Sequence, residues 1–400
     1  KAELELLGSH LLAFAHESSV PAGGALAVDR EQFASLVTDA LVQAGVTRIE
    51  AEVVGIDPSG ALIIEDAHHE GPYVLEDPAP FCIIATGPLT SPALAETLRT
   101  LTGEDHLSFY DAAAPIVYAD SLDHDVVFGQ SRYEEGVGDY LNAPFNKEEY
   151  EAFAQELIDA RCVIKKEFES SDLFQACQPI EEIARKGFDA PRFGPLKPVG
   201  LVDPRTQKRP WAVVQLRAEG RDKQCYNLVG FQTNLAFPEQ ERVFRMIPGL
   251  EHAQFARYGV MHRNTFINAP ELLNCHLELQ SAASRALPVR LYVAGQLSGT
   301  EGYVEAIASG LLASLSVRAA VRGIELDSLP RESAFGALID YATDPETKDY
   351  QPMHVNFGIL PPFEERIRNK QQRYEAYAQR GSEAMKSYVS ALAPLLEGTN

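Results

Sequence analysis

The 400 residues predict an α/β protein interrupted by an inserted domain of mixed α+β texture. Three observations carry this. FCIIATG at 81–87 and LYVAG at 291–295 are short continuous apolar runs ending in glycine turns, the pattern of strands buried on both faces of a parallel sheet. Each runs on into a helical period. Between about 114 and 287 that rhythm is lost, and hairpins, Pro/Gly-rich stretches and a few helices replace it. The predicted division is therefore 1–113 with 288–400 as one discontinuous domain, and 114–287 as the insert.

Taken in order, a short amphipathic opening leads to PAGGALAVDR, where Gly23 and Gly24 turn the chain before a strand at 25–28. A helix follows. Its Phe33, Leu36, Val37, Ala40 and Leu41 recur at three- and four-residue steps, and Gly45 supplies a stop. β-Branched runs at 49–56 and 61–64 flank DPSG, so Pro58 and Gly60 turn a hairpin. The strand at 81–85 reaches Thr86-Gly87, and Ser91-Pro92 then provides an N-cap and a first-turn proline for a helix through Leu101. A helix at 301–322 carries Val304, Ile307, Ala308, Leu311 and Leu312 on one face and ends before Gly323. The charged helix from about 364 to 395 reads as packing and solvated surface. No stretch reaches the apolar length of a bilayer span, and KAELELLGSH has no basic region followed by a hydrophobic run. The chain starts without Met, as an incomplete one does.

Fifty-seven acidic against 35 basic side chains leave a net charge of −22, which repels phosphate backbones over most of the surface. Nucleic-acid contact must then be local. The segment 185–223 is the place for it, with ten Lys/Arg against four Asp/Glu and a local charge of +6. Lys197, Arg205, Lys208 and Arg209 stand there on proline-rigid turns, with Trp211 and Tyr226 as stacking surfaces. The five cysteines at 82, 162, 177, 225 and 275 form no C-x-x-C pair, so neither a disulfide framework nor a zinc or other metal site suits their gaps. A reducing cytoplasm is the simplest compartment.

GQLSGTEGY at 295–303 brings a strand end to a helix N-terminus through Gly295, Gly299 and Gly302, so a ligand, preferably anionic, can approach backbone N–H groups. The spacing is not G-x-G-x-x-G, and a plain strand-to-helix connection accounts for it equally well. Ala85-Thr86-Gly87 by itself reads as a tight loop. Cys177, in LFQACQPIEEIARKG, precedes Pro179 at the start of a helix whose first turn holds Glu181 and Glu182, where the dipole lowers a thiol pKa. It is a candidate nucleophile, with a buried inert cysteine as the plain alternative. Cys82, inside an apolar strand, reads as inert. MHRNTFIN gathers His262, Arg263, Asn264 and Thr265, suited to polar ligand recognition or to a capped turn. The absence of H-E-x-x-H, Walker A and G-x-S-x-G patterns argues against zinc protease, NTPase and α/β-hydrolase chemistry.

Together, VPAGGALAVDR, ATGPLTS, YDAAAPIV, FQACQPIEEIARKG, RFGPLKPVGLVDPRT, YNLVGFQTNL, RMIPGLEHAQFARYGVMHRNTFIN, AGQLSGTEGYVEAIASG and QPMHVNFGILPP resemble the folate- and FAD-dependent tRNA uracil-5-methyltransferases from about Val20 to the C-terminal helix. The resemblance implies a FAD-binding domain of the glutathione-reductase type carrying an inserted tRNA domain, and 5-methyluridine in the T loop of tRNA as product. It implies FAD contacts at Ala85, Thr86, Gly87, Gly295, Gln296, Gly302, Tyr303 and Val304, with His262 stacking on the folate. Cys177 becomes the thiolate that adds to uracil C6, methylenetetrahydrofolate the carbon donor, reduced FAD the hydride donor and NAD(P)H the reductant. No obligate protein partner and no membrane enter. Family members open with a strand, a G-x-G-x-x-G turn and a helix for the FAD pyrophosphate, then a segment with a second functional cysteine; neither lies in these 400 residues. Two rivals remain: the related flavoprotein class that modifies wobble uridine with a partner GTPase, and a chain that binds RNA without activity.

Overall fold

A computed structural model describes residues 1–22, 25–76, 78–103, 107–132, 138–163, 178–219, 222–347, 350–365 and 367–396, without the side chains of 107–111, 262 and 263. It contains two compact units: Lys1–Ala13 with Gly45–Ser108 and Asn264–Asn400, and Phe14–Ala44 with Phe109–Arg263. The division therefore falls at 263/264 where the sequence pointed to 287/288, and 14–44 goes with the inserted part. Backbone pairing gives the reason. Leu279 N–H donates to Leu291 O at 2.8 Å and Val293 N–H to Leu277 O at 2.9 Å, so 277–279 lies against the strand Arg290–Val293.

The first unit is built on two parallel strands, Phe81–Ile84 and Arg290–Val293, in register from Phe81↔Arg290 to Ile84↔Val293. Leu291, Tyr292 and Val293 are buried. Burial on both faces fails for the other strand: Ile83 is 38% exposed and Cys82 is half-buried. The helix Pro92–Thr102 forms as its termini dictate, with Ser91 Oγ accepting from Leu94 N–H, Gly103 left-handed at the end, and Leu94, Leu98 and Leu101 buried. The DPSG hairpin joins Glu52–Ile56 to Leu62–Glu65, and Tyr73–Val74 adds a third antiparallel strand. Its turn is fixed by the Asp57 carboxylate, which accepts from the N–H groups of Ser59 and Ala61 at 2.8 and 2.9 Å.

The helix Tyr303–Arg322 is the core helix of this unit, and its inner face takes in Ala308 and Leu312 but not the rest of the set that periodicity indicated. Ala308, Ser309, Leu312, Ala313, Ser316 and Ala319 are buried, whereas Val304, Ile307 and Leu311 are half-buried. Small residues let its neighbours, the helices Ala334–Thr343 and Ala393–Leu396, come close. By length and composition it also meets the requirement for crossing a bilayer, which corrects the reading that no stretch does. Glu3 closes the other end of the fold: its carboxylate accepts from Ala334 N–H and Phe335 N–H at 2.8 and 2.9 Å, capping that helix from the opening Ala2–Leu6 turn.

The second unit holds a six-stranded antiparallel sheet ordered Phe255–Arg257, Ile116–Tyr118, Cys225–Leu228, Ala212–Glu219, Tyr140–Phe145, Phe128–Gly129. The helices Lys147–Asp159, Ile180–Lys186 and Phe237–Phe244 contribute Tyr150, Phe153, Leu157, Ile180, Val243 and Phe244 to one core with Val214 and Leu216 of the sheet. Asn146 starts the first of these through a reciprocal capping box with Glu149. Tyr226 lies in this core at 7% exposure, so it is no stacking surface. The helix Arg30–Gln43 forms as its pattern and the Asp29 cap require, yet it buries no residue, and Leu41 is 46% exposed.

Candidate functional site

Parallel strands release their C-terminal turns on the same edge, the edge where α/β sheets bind ligands. Here Ala294 N–H donates to Ile84 O at 3.0 Å, so the turns at 85–90 and 295–302 start side by side. Ala85 and Thr86 are exposed and Gly87 has φ +73°. The Thr90 hydroxyl donates to Gly87 O at 2.9 Å and lies 2.7 Å from that of Thr86.

The second turn is fixed by its own hydroxyls. Ser298 and Thr300 both donate to Gly295 O at 2.8 Å, and Ser309 Oγ accepts from Gly295 N–H at 2.8 Å. Gly299 is required by packing: at φ +77° a Cβ would collide with the Tyr350 hydroxyl, which donates to Ser298 O at 2.8 Å. Burial raises the Tyr350 pKa far above that of a free phenol, so it stays a donor. Gln296 turns inward, its amide donating to Glu301 Oε1. Gly302, at φ +109°, is the N-cap of the helix, which starts at Tyr303 instead of Glu301 and has no side-chain cap. Its first N–H groups thus keep the positive end of the dipole available to a ligand.

Two further segments cross these turns. Thr265 N–H donates to Pro88 O at 2.9 Å and Ile267 N–H to Leu297 O at 3.0 Å, so the end of MHRNTFIN spans both. Met353 N–H donates to Gly299 O at 2.9 Å and Glu301 N–H to Met353 O at 3.0 Å, laying QPMHVNFG along the second. Beside Val304 and Glu305 opens a cavity of about 790 Å³ walled by Leu4, Phe335, Phe357, Leu360, Tyr374 and Tyr377. Phe357 and Tyr374 stack at 4.1 Å and 7°. The aromatic wall escaped the sequence reading, which treated 364–395 as packing and solvated surface. Tyr374 and Tyr377, one turn apart beside Arg373 and Arg380, were the available signal. Flat apolar walls fit a planar ring such as that of a flavin, with Glu3 and Glu305 also lining the cavity.

Cys177 lies outside the described residues, and of His262 only the backbone, in the strand Met261–Phe266, is described. Cys82, Cys162, Cys225 and Cys275 are free thiols, and burial pushes the pKa of each upward, away from thiolate character. The helix after Cys177 starts at Ile180 with Pro179 as N-cap. Glu181 is not a solvent-facing first-turn acid. It is fully buried, and its carboxylate accepts from the Thr233 hydroxyl at 2.9 Å and Asn234 N–H at 2.6 Å. Burial pushes its pKa up to about 7 against the pull of those donors.

The basic segment divides in two. Arg185 donates to Ile158 O and Ala160 O and pairs with Glu182; Arg192 donates to Trp211 O and lies 3.7 Å over the Trp211 ring; Arg205 forks onto Asp203 at 2.9 and 3.1 Å. These guanidiniums are spent on the fold, and Trp211 has its face covered. Lys197, Lys208 and Arg209 are exposed.

A family model described as Glucose inhibited division protein A matches residues 1–325. The chain is 47% identical over 391 residues to the methylenetetrahydrofolate–tRNA-(uracil-5-)-methyltransferase TrmFO of Heliobacterium modesticaldum, covering 98% of this chain and 83% of that one. It is 48% identical over 393 residues to the protein of the same name from Bacillus pumilus, covering 98% and 84%. Aquifex aeolicus GidA in its form II crystal superposes with a TM-score of 0.65 at 16% identity, over 99% of this chain and 65% of that one. The chain thus spans just under two thirds of that structure. At this identity the likeness establishes the fold, an α/β unit with an insert.

Proposed function

The chain belongs to the Glucose inhibited division protein A family, and from its likeness to the tRNA-(uracil-5-)-methyltransferases of that family we infer that it methylates a tRNA uridine at C5 with methylenetetrahydrofolate as carbon donor. Identity of 47% to 48% over 98% of the chain to proteins of that name carries the reading.

Uracil C5 attacks a one-carbon unit only after a nucleophile has added at C6 and left an enolate, so the enzyme has to bring a thiolate to the base. We assign that thiolate to Cys177; loss of the C5 proton then expels it. FAD, when bound, supplies the hydride that takes the transferred carbon to a methyl group, and NAD(P)H replenishes it. Ala85, Thr86, Gly87, Gly295, Gln296, Gly302, Tyr303 and Val304 would hold the cofactor, with the N–H groups at the start of the Tyr303–Arg322 helix facing its anionic edge. His262 would stack on the folate. Lys197, Lys208 and Arg209 would hold T-arm phosphates of a cytoplasmic tRNA, and Arg205 contributes less because Asp203 already engages it.

Cys177→Ser is expected to abolish formation of 5-methyluridine in tRNA while leaving the flavin absorption of the purified protein unchanged. Retained turnover removes Cys177 from the reaction. Nucleoside analysis of the product, showing 5-methyluridine or a wobble modification, separates the two enzymatic readings.

A further inference from the structure

Trp211 and Tyr226, the aromatic rings expected to stack in the basic segment, are covered and buried, yet the same segment leaves another ring open. Phe193 ends the short helix Ala190–Phe193 and is 73% exposed. Phe188 is 38% exposed and meets the Tyr150 ring edge to face. The turn after Phe193 is held within the second unit from two sides. Leu196, fully buried, donates its N–H to Pro191 O at 2.8 Å, and its carbonyl accepts from Val213 N–H at 3.0 Å. Pro195 packs so closely on Gly230 that a Cβ added there would come within 2.6 Å of the Pro195 Cβ. The side chain of Arg192 is fixed as well. Its Nε donates to Trp211 O at 2.9 Å, and its guanidinium lies 3.7 Å over the Trp211 ring and 5.3 Å over that of Phe193.

One exposed apolar side chain is ordinary on a protein surface and by itself asks for no partner. Phe193 differs in its setting. Residues 190–202 contain no acidic side chain, and they lie inside the stretch of charge +6 in a chain of net charge −22. Lys197 is exposed, and its N–H donates to Gly194 O at 3.2 Å, next to Phe193 in the turn. Asp203, the first acid downstream, is engaged by Arg205. A protein partner would want apolar neighbours around the ring, but Pro191, Leu196 and Pro198 of the same turn are buried. Free cations beside a flat apolar ring instead match a polyanion whose repeating unit carries a flat ring of its own, which is single-stranded nucleic acid. Bases inside a stem are already stacked on both faces, so the ring can take up only an unpaired one.

We propose that Phe193 is a stacking platform for an unpaired base of the tRNA: the Arg192 guanidinium backs one face of the ring, the base covers the other, and Lys197 holds a neighbouring phosphate. This rests on the tRNA-methyltransferase reading above and names a contact by which that substrate is gripped. Stacking accepts any base, because every base has a π face, so the contact adds affinity without reading sequence.

The test measures tRNA binding by the full chain, with urea unfolding as the control. Phe193→Ala is expected to keep the wild-type urea midpoint, because the ring is mostly in water, and to raise Kd for tRNA by about fivefold to a hundredfold, the range of one base–aromatic stack. The slope of log Kd against log salt is expected to stay at the wild-type value, since no cation is lost. Phe193→Tyr is expected to bind within about twofold of wild type, and Phe193→Leu, apolar but without a π face, to lose as much as Phe193→Ala. A fully paired RNA duplex is expected to bind Phe193→Ala and wild type alike. Phe193→Trp adds a spectroscopic readout: tRNA is expected to quench its emission beyond the change seen in wild type, whose single tryptophan is Trp211. Wild-type tRNA affinity in Phe193→Ala overturns the proposal. So does Phe193→Leu binding as well as Phe193→Tyr, which makes the ring a plain apolar contact of the kind a protein partner uses, and so does an equal loss on the duplex. If the wild-type chain forms no 5-methyluridine while Phe193→Ala still weakens tRNA binding, the methyltransferase reading fails and the stack stands. If 5-methyluridine forms and Phe193→Ala binds tRNA as wild type does, only the stack fails.

Discussion

The two units fix their chain segments by different means. In the first, the turn at 295–302 is fixed from within: the donors and acceptors on Gly295 are Ser298, Thr300 and Ser309, all within fifteen residues. In the second, residues 163, 180 and 181 are fixed from a distance, by bonds to residues 232–234. The first arrangement stays formed as long as one turn does. The second depends on the whole sheet and helix layer, and so on burial and on pH.

The largest expected effect breaks the local arrangement. Gly299→Val puts a branched side chain at φ +77° into the space of the Tyr350 hydroxyl, where the backbone penalty and the collision add. A loss of about 3 kcal/mol or more is expected in denaturant unfolding, together with loss of flavin absorption after purification. A variant of wild-type stability that retains its colour refutes the packing account of that glycine.

The next tests the distant arrangement. Glu181 has its carboxyl pKa raised to about 7 by burial, above its ordinary value of 4.5. A raised carboxyl pKa favours the protonated native state, so this contribution to stability is full below about pH 4.5 and is lost as pH rises to about 7. Its size is about 3 kcal/mol, an order of magnitude from the shift. Glu181→Gln cannot ionise and is expected to flatten that part of the stability–pH curve. Urea midpoints at pH 5 and pH 8 for both proteins measure it; identical slopes in the two show that the carboxyl does not titrate in this range.

The same contrast explains what the sequence revealed. The DPSG turn, the Ser91-Pro92 helix start and the glycine turn at 295–302 are local, and each was legible because neighbouring residue types dictate them. Glu181 was legible as a first-turn acid, but not its burial, because its partners, Thr233 and Asn234, are remote in sequence. The inner face of Tyr303–Arg322 was found at Ala308 and Leu312 and missed at Ser309, Ala313, Ser316 and Ala319, small residues that carry little apolar signal. The boundary at 263/264 was missed because the bonds of Leu277 and Leu279 to Arg290–Val293 have no local signature. Tyr226 and the Phe357–Tyr374 stack exchanged expected roles for the same reason: aromaticity says nothing about which side of a strand or helix meets a neighbour.

The smallest expected effect separates basic residues that serve the fold from those open to a partner. Lys208 is exposed, whereas Arg192 donates to Trp211 O and covers its ring at 3.7 Å. Lys208→Ala is expected to leave urea stability unchanged and to reduce the slope of log Kd for tRNA against log salt by about 1, the share of one released counterion. Arg192→Ala is expected to do the opposite, costing about 1–2 kcal/mol of stability through the lost hydrogen bond and cation–π contact, with the salt slope unchanged. Filter binding between 50 and 300 mM salt, roughly the range over which counterion release changes affinity most visibly, reads both. If Arg192→Ala lowers the salt slope while Lys208→Ala does not, the tRNA path lies over the Trp211 face, and the division of the basic segment drawn from its hydrogen bonds is inverted.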